Sequence, residues 1–176
     1  LHFISSSENI AWLLNIRGKD SEYTPIPNCY LSIGIDKKIQ LFCDLKKIDN
    51  NFKKRFEKID IIDIKNISLF LSKIRNKKIL IDASTCSIFF ENILKENNRI
   101  IEFLDPIYFF KAIKSKIEIK NTIKAHNKDK DKKTKLLIKI KKNYIKKNIN
   151  EISAQEKLLK FRKKNKNFNF LSFPTI

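Results

Sequence analysis

Cys29-Tyr30-Leu31-Ser32-Ile33-Gly34-Ile35, then Asp36-Lys37-Lys38, then Ile39-Gln40-Leu41-Phe42-Cys43 are two apolar runs around a polar turn, the pattern of a β-hairpin. Just upstream, Pro25 and Pro27 keep the connecting loop out of helix. Before that loop, His2 to Ser5 suits a strand, and Ile10, Leu13 and Leu14 share one face of a helix that Ser7 can cap and Gly18 can end. Downstream, Leu45 to Lys58 reads as a charged helix. Ile59 to Ile64 and Lys78 to Ala83 read as strands separated by a helix near Ile67 to Ile74, and Ser87 to Lys95 as a helix before a strand at Arg99 to Leu104. Strands alternating with amphipathic helices predict an α/β domain, a mixed sheet with flanking helices.

Asp105-Pro106 breaks that rhythm. Proline disfavours helical geometry at the residue before it, so a linker is expected here. Charge changes at nearly the same place. Residues 1–110 carry 13 Lys and 4 Arg against 14 acids, whereas 111–176 carry 20 Lys and 1 Arg against 5, so sixteen of the nineteen excess positive charges lie in the last part of the chain. The expected organisation is one domain over 1–110 and the beginning of another over 111–176. In the second, Ser115 to Ile145 should be helical, Asn150 should cap a helix in which Ala154, Leu158 and Phe161 share a face, and Leu171 to Ile176 should enter a buried strand. The chain opens on Leu1-His2-Phe3-Ile4, contains no methionine and closes inside that strand, so a fragment is expected.

Three ordered blocks carry a family resemblance. Asn9-Ile10-Ala11-Trp12-Leu13-Leu14-Asn15-Ile16-Arg17-Gly18 with Asp20 and Tyr23-Thr24-Pro25 comes first. Lys111-Ala112-Ile113-Lys114, Glu118-Ile119 and Ala125-His126 with Asp129 follow, and Asn150 to Ala154 through Phe161-Arg162 to Ser172-Phe173-Pro174-Thr175-Ile176 is last. Together they resemble the Xaa-Pro aminopeptidases, metallopeptidases of the creatinase/prolidase-like group. The resemblance implies that residues 1–110 are the second, non-catalytic domain of that family, missing its start, and that 111–176 begin the pita-bread α+β catalytic domain, truncated. It implies a parent enzyme that removes an N-terminal residue preceding proline, works as a homodimer and uses two divalent ions, commonly manganese, to activate water. The ligands of those ions would follow the Ser172 to Ile176 strand, so neither catalytic residues nor metal ligands are assigned to this chain, and the chain alone is expected to be inactive. The family pattern has small or apolar residues after Asp129, whereas Lys130, Asp131, Lys132 and Lys133 stand here.

Two residues are candidates to face substrate. Arg17, after an apolar helix and before Gly18, could aim its donor fork at a substrate carboxylate, but pairing with Asp20 or Glu22 is the preferred reading. Phe173 could line an apolar side-chain pocket, with core filling preferred. Asp129 and Asp131 lie among lysines without the glycine or closing glutamate of a calcium loop, His126 reads as a structural or surface residue, and Trp12 as packing. Cys29, Cys43 and Cys86 are widely spaced and odd in number, which suits inert buried thiols in a reduced, cytoplasmic setting. No apolar run reaches the ~20 residues that span a bilayer. The alternative is a lysine-rich nucleic-acid binder, with Tyr144, Phe161 and Phe168 stacking on bases, or a non-catalytic interaction protein. The scarcity of arginine and lysines spread around the helices count against nucleic acid.

Overall fold

A computed structural model of the chain describes residues 1–143 and 150–173. It forms two compact units, Leu1–Ile113 and Lys114–Ile176. The first contains strands β1 (His2–Ile4), β2 (Cys29–Ile33), β3 (Ile39–Cys43), β4 (Asp60–Asp63), β5 (Lys78–Ile81) and β6 (Arg99–Glu102). Its helices are α1 (Ser7–Leu13), α2 (Asn50–Arg55), α3 (Ile67–Ser72), α4 (Ile88–Lys95) and α5 (Ile107–Ala112). The strands make one mixed sheet in the order β4-β3-β2-β1-β5-β6, in which only β2 runs against its neighbours.

The hairpin closes on Lys37, whose φ of 65° lets Lys37 N–H reach Gly34 O (3.0 Å) and Gly34 N–H reach Lys38 O (2.8 Å). Alternation along the strands then sorts side chains to two faces. Phe3, Phe42, Ile79 and Ile81 meet Leu71 of α3 and Phe90 and Leu94 of α4 on one face. Ile4, Leu31, Leu41, Cys29 and Cys43 meet Ile10 of α1, Ile107 of α5 and the partly buried Phe52 of α2 on the other. The sheet is therefore covered by helices on both faces, as the sequence pattern predicts.

Several boundaries differ from expectation for local reasons. The cap of α1 is Ser6, which accepts from Asn9 N–H at 3.4 Å, because the Ser7 hydroxyl is taken by the Cys29 backbone. Gly18 does not end α1. The helix stops at Leu13, and Asn15 takes the positive φ of 49°. Leu45 to Lys58 is not one helix, since Asp44 and Asp49 each accept from an amide two or three residues on and start a 3-10 turn at Leu45–Lys47 and α2. Asp105-Pro106 is not a linker: Asp105 is 2% exposed, and Pro106 leads into α5, which packs against α1 within the same unit.

The second unit holds α6 (Lys116–Asn143) and α7 (Glu151–Lys163). Ser115 and Glu118 close a capping box at the start of α6: Glu118 N–H donates to Ser115 Oγ (3.2 Å) and Ser115 N–H to Glu118 Oε2 (2.7 Å). Asn150 and Ser153 form another at α7, where Ala154, Leu158 and Phe161 are half-buried. Lys130, Asp131 and Lys133 stay exposed and Lys132 half-buried, so the charges after Asp129 remain near water. Leu171 to Phe173 are irregular rather than a strand. Pro174 to Ile176, which complete the expected strand, and Tyr144 and Ile145 lie outside the described residues.

Candidate functional site

The first unit concentrates buried polar groups where β5 and β6 end. Asp82 directly follows β5 and Asp105 precedes α5. Asp105 Oδ2 accepts from Asn9 Nδ2 (2.7 Å) and Oδ1 from Ile107 N–H (3.0 Å), while the Asp105 N–H donates to Asp82 Oδ2 (3.0 Å). Asp82 Oδ1 accepts from the Ser84 hydroxyl (2.6 Å) and amide (3.0 Å). Asn9, fully buried, accepts through Oδ1 from Lys111 Nζ (2.7 Å), which also pairs with Glu8 Oε1 at 2.9 Å. His2 Nε2 stands 3.7 Å from Asp105 Oδ1, buried and without a hydrogen-bond partner among the described residues.

Burial lowers the His2 pKa from its ordinary value, against the pull of the Asp105 carboxylate. For Asp82, burial pushes upward but the hydrogen bonds from Ser84 and the Asp105 amide outweigh it and hold the carboxyl low. The carboxylate oxygens of both aspartates already accept from protein donors, so the cluster acts as a brace joining α1, α5 and the ends of β5 and β6. Sequence reading missed it because its members are far apart in the chain. The one local signal was Asp105 before a proline at a helix start.

Arg17 lies on a separate cleft of about 690 Å³, lined also by Asp20, Cys29, Cys43, Lys47 and Phe52. Its guanidinium Nη1 donates to Ala11 O (3.2 Å) and Ile16 O (2.8 Å), and Arg55 Nη2 donates to Leu14 O (3.1 Å) and Asn15 O (3.3 Å). Two arginines thus satisfy carbonyls released where α1 ends. The internal partner expected for Arg17 was a carboxylate, and the structure supplies carbonyls instead. Asp20 is held by Lys47 Nζ and by Asn28 N–H (2.5 Å), and the Lys47 hydrogen bond keeps its carboxyl below the usual range. Glu22, next to Tyr23 in the chain, pushes the Tyr23 pKa above its ordinary value.

In the second unit, Arg162 grips Asp129 with both arms of its fork, Nε at 2.7 Å and Nη2 at 3.1 Å, and Lys133 adds a third contact at 3.0 Å. These contacts, led by Arg162, hold Asp129 below the usual carboxylate range. They border a cleft of about 360 Å³ lined further by His126, Lys128, Lys132, Phe168, Phe170 and Phe173. Phe173 is 63% exposed and lines this cleft rather than filling a core. His126 is exposed. Eight of the eleven α6 lysines, Lys116, Lys120, Lys124, Lys128, Lys132, Lys135, Lys139 and Lys142, fall within an arc of about 160° at ~100° per residue, with Asp131 inside that arc and Lys130, Lys133 and Lys141 outside it.

Among the described residues no group of three or more His, Cys, Asp or Glu could hold a metal ion, and Asp129 is committed to Arg162 and Lys133. The donor set present does not fit the two divalent ions that the sequence resemblance implies, and no chemical step through them is derived from it. No described helix is long and apolar enough to cross a membrane.

Residues 1–118, which hold the mixed sheet with helices on both faces, match the model of the creatinase/prolidase N-terminal domain. The chain belongs to that family. It is 32% identical to the Xaa-Pro aminopeptidase ApepP of Drosophila melanogaster over 181 residues and to Xaa-Pro aminopeptidase 1 of Dictyostelium discoideum over 183, covering 98% and 100% of this chain. It spans only 29% of the length of either relative. Among solved structures it resembles the Xaa-Pro dipeptidase of Bacillus anthracis (TM-score 0.64, 16% identity, 93% of this chain and 44% of that one) and the prolidase of Pyrococcus furiosus (TM-score 0.51, 16% identity, the same coverage). At that identity the structural likeness speaks for the fold.

Proposed function

We propose that the chain comprises the non-catalytic α/β domain and the helical lead-in to the catalytic domain of a metal-dependent aminopeptidase that releases an N-terminal residue preceding proline. The observation that carries this reading is the alignment to two Xaa-Pro aminopeptidases across essentially the whole chain, beyond the 118 residues of the N-terminal domain model. In this reading α6 and α7 begin the pita-bread domain, the ligands of two divalent ions, commonly manganese, lie outside the described residues, and the 176-residue chain alone is inactive. A homodimeric parent in the cytoplasm belongs to the same proposal, with Arg17 and Phe173 its candidate substrate-facing residues. Arg17 has to release two carbonyls to reach a substrate, which makes Phe173 the better candidate.

The test compares the 176-residue chain with the product of the complete gene on peptides carrying proline or alanine second. The longer protein is expected to release the first residue only before proline and to lose activity to a chelator, recovering with manganese. The 176-residue chain is expected to be inactive in all conditions. Failure of the longer protein on the proline peptide would end the peptidase reading, and activity in the short chain would overturn the location of the site.

The lysine ridge of α6 favours a second reading, contact with a nucleic acid, since eight of its eleven lysines lie on one half of a 28-residue helix and could neutralise phosphates. Against it stands the single arginine of the last 66 residues. Retention on duplex RNA at about 150 mM salt, with a steep salt dependence, would favour it.

A further inference from the structure

Cys29 and Cys43 stand opposite one another in the β2–β3 ladder. Antiparallel partners alternate between hydrogen-bonded pairs and non-hydrogen-bonded pairs, and the latter bring their Cα atoms to about 4.5 Å. The hairpin turn fixes the alternation. Gly34 and Lys38 are joined by the Gly34 N–H to Lys38 O bond, so Ile33–Ile39, Leu31–Leu41 and Cys29–Cys43 are all of the closer, non-hydrogen-bonded kind. The Cys29 backbone agrees independently. Its N–H donates to Ser7 Oγ (3.4 Å) and its carbonyl accepts from the same hydroxyl (3.1 Å), so both point away from β3.

Directly opposite residues send their side chains to one face of the sheet. Both cysteines lie in one core cluster and both line the Arg17 cleft of about 690 Å³. A disulfide needs Cα atoms about 4.4–6.8 Å apart, a range that the closer kind of pair already meets without backbone movement. Cys86 belongs to the cluster on the opposite face of the sheet.

We propose that Cys29 and Cys43 form a reversible cross-strand disulfide when the chain meets a hydroperoxide, which makes the floor of this cleft a site of redox modification. This goes beyond the peptidase reading and does not depend on it. Cys43, 7% exposed against 1% for Cys29, is the attacking thiol. Its thiolate attacks the terminal peroxide oxygen: the S–O bond forms, the O–O bond breaks, an alcohol or water leaves, and the sulfur becomes a sulfenic acid, oxidised by two electrons as the peroxide is reduced. Cys29 Sγ then attacks that sulfur. The S–S bond forms, the S–O bond breaks, and water leaves with the Cys29 proton. A dithiol reverses the reaction by exchange.

Burial pushes the thiols up, Cys29 to about 12 and Cys43 to about 11. Asp20, Asp44 and Asp63 add to the effect and Lys47 opposes it, so the thiolate is scarce at neutral pH and oxidation accelerates as pH rises.

The full chain is treated with hydrogen peroxide, free thiols are alkylated, and a non-reducing digest is mapped by mass. The expected result is a peptide pair joining Cys29 to Cys43, an intact mass lower by two hydrogens, and Cys86 recovered alkylated. Dithiothreitol should restore all three thiols. The bridge encloses only residues 30–42, and the oxidised chain should melt roughly 10 °C above the reduced one. The Cys43→Val variant should show neither the linked peptide nor the shift. Sulfinic acid at Cys43 without a bridge, links between chains, or a bridge involving Cys86 would overturn the proposal, and the native-chain map decides it whether or not the variant folds.

Discussion

Only two glycines occur in this chain, and they differ in what they tolerate. A Cβ on Gly18 would sit 2.5 Å from Pro27 Cα and 2.7 Å from Pro27 N, backbone that cannot swing aside, where Gly18 N–H also donates to Pro25 O. On Gly34 the nearest atom is the end of the Asp36 side chain, which can rotate away. Gly18→Ala is therefore expected to cost about 1–3 kcal/mol and Gly34→Ala much less, read from urea midpoints of the two variants. His2 gives a pH signature. Because burial lowers its pKa in the fold, the unfolded chain binds the proton more readily, so the stability contribution is full above about pH 6.5 and is lost as pH falls through the lowered folded value. The urea midpoint should drop as pH falls below about 6.5, where the low-lying Asp82 stays ionised, and His2→Gln should flatten that drop.

Elements were legible wherever a short-range rule decides them. The β2–β3 hairpin and the Asn150 cap are both in place because turn and cap chemistry is contained within a few neighbouring residues. Ala in place of Asn150 removes the acceptor for Ser153 N–H (2.8 Å) and should cost about 1 kcal/mol, seen as reduced helicity by circular dichroism, with Asp at that position retaining most of it. Cap choice at α1 was not legible. Three serines stand in a row at 5–7, and which one caps depends on Cys29, a partner across the sheet that no local window contains. The lysine ridge was legible in principle, since it needs only the i, i+4 spacing, but it emerges only when 116–143 is taken as one unbroken helix. Of the site residues, Arg17 was expected to pair with Asp20 or Glu22 and instead donates to two backbone carbonyls. Its carbonyl partners and the helper Arg55, some forty residues away in sequence, follow from tertiary packing.

At the scale of the molecule the two units are built differently. The first has two buried clusters on opposite faces of a six-stranded sheet, whereas α7 buries no residue fully and Ile117, Ile119, Ile123, Leu137 and Ile138 of α6 are exposed. Hydrophobic burial dominates folding free energy, so amide exchange should show β1, β2, β3 and β5 protected by several orders of magnitude more than α6 or α7. Comparable protection in both units would contradict this account. The family was legible from the sequence because its signature blocks are local. No catalytic site was legible in the same way, since no group of three or more His, Cys, Asp or Glu among the described residues could hold a metal ion.

Asp105-Pro106 looked like a seam and proved to be a keystone, which matters to anyone cutting this protein into pieces. A boundary drawn at residue 104 would strip Asn9 Nδ2 of its acceptor, deprive Asp82 of an amide and leave Ile107 and the Lys111 ammonium on the discarded side. A cut after Ile113 keeps all of these bonds within the first unit.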